Sequence, residues 1–158
     1  MNFSAQVTQG AALTFDYSTT DYPGMAPGSM VRGAFVRSVK LNSASTPKGQ
    51  DGYVEELTSS QNLDFTALVR TWAAALNATG LKLQHITLQN MSAANAITVV
   101  DSGANAYVIN GEANLSIPAG GVFSLSWVDA LSLVDATHKI LQITATAGQK
   151  YRVTLVFG

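Results

Sequence analysis

The sequence predicts an all-β protein built as an antiparallel β-sandwich or barrel. Three observations carry this. Residues 81–158 read as one short strand after another: Leu81–Leu88, Ala96–Val100, Asn114–Pro118, Val122–Trp127, Lys139–Thr144 and Lys150–Phe157. Gly, Asn, Asp and Ser fill the intervals, as turn residues between regularly spaced strands do. Several runs alternate apolar and polar residues, which assigns one face of each strand to a core.

Taken in order, the chain starts polar and then alternates over Leu13-Thr-Phe-Asp-Tyr17, the pattern of a half-buried strand. Residues 18–29 hold two Pro-Gly turns, Pro23-Gly24 and Pro27-Gly28 in sequence, and read as a loop. Strand character resumes from Met30 to Leu41 and returns at Gly52–Leu57, across a polar loop at 43–51. One short helix is expected next. Asp64 suits its N-cap, Leu68, Trp72 and Leu76 recur every four residues, Phe65 and Val69 widen the stripe, and Gly80 follows its end. Such a helix would plug one end of the sandwich or cover an open edge.

Phe123, Leu125 and Trp127 share one parity of their strand, and Tyr151, Val153, Leu155 and Phe157 share one parity of the last. Both sets are expected to face inward. Val156 falls on the opposite face and implies partial cover there. Between 81 and 90 the phase slips from Leu81 and Leu83 to Ile86 and Leu88, so a β-bulge is expected near Gln84-His85. The simplest division is an arm-like segment at 1–29, with a strand and a Pro/Tyr loop, and a sandwich domain at 30–158.

Composition narrows the function classes. The 158 residues suit one domain with a substantial core. Charged residues are 12%, about half the usual share of ~25%, so neutral polar groups or neighbouring molecules must cover the surface. The net charge of -1 and the scattered cations, with only a loose group at Arg32, Arg37 and Lys40, give no basic face, so no nucleic-acid partner is expected. With no Cys, neither disulfides nor thiolate chemistry are available. No signal peptide is read at the N-terminus, and no apolar run approaches the roughly 18–20 residues of a span, so no membrane partner is expected.

Catalytic constellations are not legible, and no enzyme activity or cofactor is expected. His85 and His138 lie in separate segments without metal-ligand spacing, and His138 is expected to be a hydrogen-bonded turn residue. No Gly-x-Ser-x-Gly motif occurs, and Glu55 and Glu56 are adjacent, so in a strand they point to opposite faces. Asp101-Ser-Gly-Ala-Asn105 offers oxygen ligands to a calcium ion but lacks further acidic positions, so a plain turn is expected.

The order of these features resembles a known family. The features are Asn62–Leu68, Gly80–Asn90, Ala96–Val100, Leu115–Leu125, Val134–Leu141 and Lys150–Gly158. They resemble small virion structural proteins of tailed bacteriophages, some of which decorate or cement the capsid. The resemblance covers roughly residues 55–158. It implies a jelly-roll-like β-sandwich, a homotrimer, a place on the head surface of the virion at threefold or local threefold positions, and the major capsid protein or other virion subunits as partners. Phe3, Tyr17, Tyr22, Pro23 and Met25 are expected to contribute partner contacts, because aromatic and Met residues there have little core role. The rival reading is a tail-associated receptor-binding or carbohydrate-binding module, using Tyr53, Tyr107 or Tyr151 as exposed platforms.

Overall fold

The computed structural model describes the backbone at residues 5–17 and 28–41, and backbone and side chains at 49–71, 73–111, 114–126 and 131–158. The chain divides into two compact units, Gln6–Lys40 and, with the first few residues, Leu41–Gly158.

The smaller unit is a two-stranded ribbon of β1 (Ala5–Tyr17) and β2 (Gly28–Leu41). Position 29/30 falls inside β2, and the boundary between the compact units falls at 40/41.

The larger unit holds β3 (Asp51–Thr58), β4 (Gln61–Asp64), β5 (Leu83–Asn90), β6 (Ile97–Val100), β7 (Leu115–Ile117), β8 (Val122–Ser126), β9 (Ile140–Thr144) and β10 (Lys150–Phe157). They form two antiparallel four-stranded sheets, ordered β3-β10-β5-β8 and β4-β9-β6-β7. The inner faces share one core. Tyr53, Leu83, Ile86, Leu88, Tyr151, Val153, Leu155 and Phe157 come from the first sheet, and Leu63, Ile97, Val99, Ile117, Leu141 and Ile143 from the second. The alternation in β10 thus points inward as expected. Val156, on the other face, is also buried. Phe123 packs partly buried against the core, whereas Leu125 stays 38% exposed on edge strand β8.

The bulge lies where the phase slip placed it. Val156 pairs with His85 and Phe157 with Leu83, so Gln84 is the extra residue of β5. The extra residue keeps Leu83 and Ile86 both in the core, and the Gln84 amide donates to the Gly158 carbonyl.

The expected helix does not form: among the described residues the stretch from Asp64 to Gly80 holds no helical turn. Leu68 and Leu76 exchange reciprocal backbone hydrogen bonds of 2.9 and 2.8 Å, and Ala78 N–H donates to Phe65 O. The spacing of eight between Leu68 and Leu76 also suits two residues meeting across a folded-back loop, and both are buried. Thr66, Val69 and Thr71 are β-branched and weaken a helix. Asp64 caps a tight turn instead, accepting from the Thr66 amide and hydroxyl at 2.9 and 2.7 Å.

Candidate functional site

The outer face of the first sheet carries its most organised polar group. Register aligns Gly52, Val156, His85 and Ser126 in one row across the four strands, and Val54, Thr154, Thr87 and Ser124 in the next. His85 Nδ1 lies 2.8 Å from Ser126 Oγ, and its Nε2 lies 2.9 Å from Thr87 Oγ1, which in turn reaches Ser124 Oγ at 3.0 Å. Burial pushes the His85 pKa down to about 4, so the ring is neutral at pH 7. A neutral imidazole between two hydroxyls has one donor and one acceptor nitrogen, and this chain of hydroxyls satisfies both. An imidazole of such low basicity is a poor general base at neutral pH. No partner for His85 is legible in the sequence, because Ser126 becomes its neighbour only through the β5–β8 register.

Edge strand β3 is clasped by the 65–80 loop. Buried Glu55 accepts from the Thr71 amide at 2.5 Å and from the Thr71 hydroxyl at 2.9 Å. Arg70 Nη1 pairs with Asp51 at 2.7 Å and donates to Gly52 O, while its Nε donates to Ala74 O. These contacts leave Val69 76% exposed and Ala73, Ala74 and Ala75 exposed, a small apolar rim on the loop.

Asp101 is buried. One carboxylate oxygen accepts from the amides of Ile109 and Asn110, and the other has no hydrogen-bond partner among the described residues. Burial raises its pKa, and the two amides only partly offset that. The carboxylate staples the 101–110 loop. Among the described residues no three His, Cys, Asp or Glu side chains stand together as a metal-holding group. His138 sits in an exposed turn, its Nδ1 3.1 Å from Asp135 Oδ1. The amide and hydroxyl of Thr137, then His138, hold the Asp135 carboxyl well below the usual range.

The tyrosines of the sugar-binding rival are core residues, not platforms. Tyr53, Tyr107 and Tyr151 are all buried. Tyr107 donates to Ser132 O and accepts from the Leu83 amide, and Tyr151 donates to Ser59 O. Burial pushes Tyr53 and Tyr107 up to about 12 and Tyr151 higher still. Tyr151 faces inward as the alternation of β10 implies, Tyr53 shares the inner face of β3, and Tyr107 enters the core from the 101–110 loop.

Of the expected partner-contact residues, Tyr17 ends β1. Phe3, Tyr22, Pro23 and Met25 lie outside the described residues, as do Trp72 and Trp127. No protein-family model, curated protein or solved structure matches the chain.

Proposed function

We propose that this chain is a phage virion structural protein that decorates and stabilises the head shell, with residues 41–158 wound as a jelly-roll β-sandwich. The observation that carries the reading is the nested pairing of the eight strands. β6 pairs with β7, β5 with β8, β4 with β9 and β3 with β10. That is one long antiparallel ribbon folded at β6–β7. Wrapping it on itself adds the β10–β5 and β9–β6 pairs and yields the two observed sheets. Capsid subunits are among the classes that use this winding, and lectins are another.

Two features favour the virion reading over the lectin-like one. The candidate tyrosine platforms are spent on the core. The described outer face of the second sheet is poor in charge, with Asn62, Thr98, Ser116, Gln142 and Thr144 along its central rows and one ion pair, Asp64–Lys139 at 3.0 Å, at the end of β4, a surface suited to close packing against neighbouring subunits with little charge to desolvate. The resemblance adds a homotrimer at threefold positions, where several simultaneous contacts with the major capsid protein would supply avidity. Mixing the purified chain with undecorated heads from the same source tests the reading. Saturable co-sedimentation is expected. Specific capture on a glycan array without head binding would transfer the assignment to a tail-associated, sugar-binding module.

A further inference from the structure

We infer that the β1–β2 ribbon is a self-association element, in which the free edge of β1 pairs with the ribbon of a second copy of this chain. The inference stands on the ribbon and is independent of the virion reading.

The first observation is size. Positions 6 to 40 form a compact unit of about 35 residues, below the ~40 at which small units usually need disulfides, metals or oligomerisation. The sequence of this unit holds no Cys and no His, which removes the usual covalent and metal staples. Two strands alone are marginal in water, and a third strand or a covering layer is what stabilises them.

The second observation is edge length. β1 has 13 residues and β2 has 14. At ~3.3 Å per residue the ribbon runs about 43 Å, and among the described residues neither strand is paired along its other side. A second copy of the ribbon offers an edge of the same length.

The third observation selects β1. Charged residues, above all cations, guard an edge against pairing. The sequence of β2 contains Arg32, Arg37 and Lys40, whereas β1 contains one charge, Asp16 near its end, and no Pro. Over residues 5–15 the β1 edge is unguarded. Pairing along the full ~43 Å of this edge gives the whole row of backbone groups its partners at once.

Light-scattering mass of the full chain across a concentration series tests the inference, together with the variant Ala11→Lys/Ala12→Lys, which installs on β1 the guard that β2 already has. The expected result is a wild-type mass that is a multiple of 16.6 kDa and a variant mass of a single chain. A wild type that stays at single-chain mass, or a variant that keeps the wild-type mass, overturns it. Should the variant fail to fold, amide exchange of wild-type residues 5–17 decides. Protection that rises with protein concentration supports pairing between copies, and protection independent of concentration overturns it.

Discussion

A buried neutral imidazole makes the larger unit sensitive to acid. His85 has a folded pKa of about 4 against an ordinary value near 6.5. Above pH 6.5 both folded and unfolded states hold it neutral. As pH falls from 6.5 towards 4, only the unfolded state takes up the proton, so stability falls with pH across that window. The loss should reach roughly 2 kcal/mol by pH 5. Urea midpoints at pH 7 and pH 5 check this: the His85→Gln variant should show a clearly smaller difference than wild type. Asp101 offers a second test. An Asn there keeps an acceptor for the Ile109 and Asn110 amides and removes a buried charge. Asp101→Asn should stay within about 1 kcal/mol of wild type, while Asp101→Ala, which orphans two amides, should lose about 2–3 kcal/mol in the same denaturation assay.

Turns and clasps decide how the strands are held. Between β7 and β8 the Gly121 amide donates back to Pro118 O, and a Cβ at Gly121 would stand 2.9 Å from that oxygen. Gly121→Ala should therefore cost about 1–3 kcal/mol, read as a lowered melting temperature. Thr71→Val removes the hydroxyl from Glu55 but keeps the backbone donor. The loop should loosen without global unfolding, and trypsin should cleave after Arg70 several times faster than in wild type. Strands were legible in the sequence wherever alternation was regular, as in Tyr151–Phe157, and even the Gln84 bulge showed as a phase slip. The helix was misread because Leu68 and Leu76 satisfy both a four-residue stripe and a bridge across a loop. Only the reciprocal backbone bonds distinguish the two. The Ser126–His85–Thr87–Ser124 chain was not legible at all, since it depends on the register of strands more than thirty residues apart.

At the scale of the whole molecule, a two-sheet body whose second sheet has a charge-poor outer face, and a long ribbon, suit a subunit that packs among others. The body brings packing surface and the ribbon brings unpaired backbone. Charge content of 12% fits such a subunit, because few charges need be desolvated when neighbours cover it. The proposed place on a virion head is open to test through the stoichiometry of binding to undecorated heads. Binding is expected to saturate at a fixed whole-number ratio of this chain to the local threefold positions of the shell. Failure to bind heads, or uptake that grows without saturating, would contradict it.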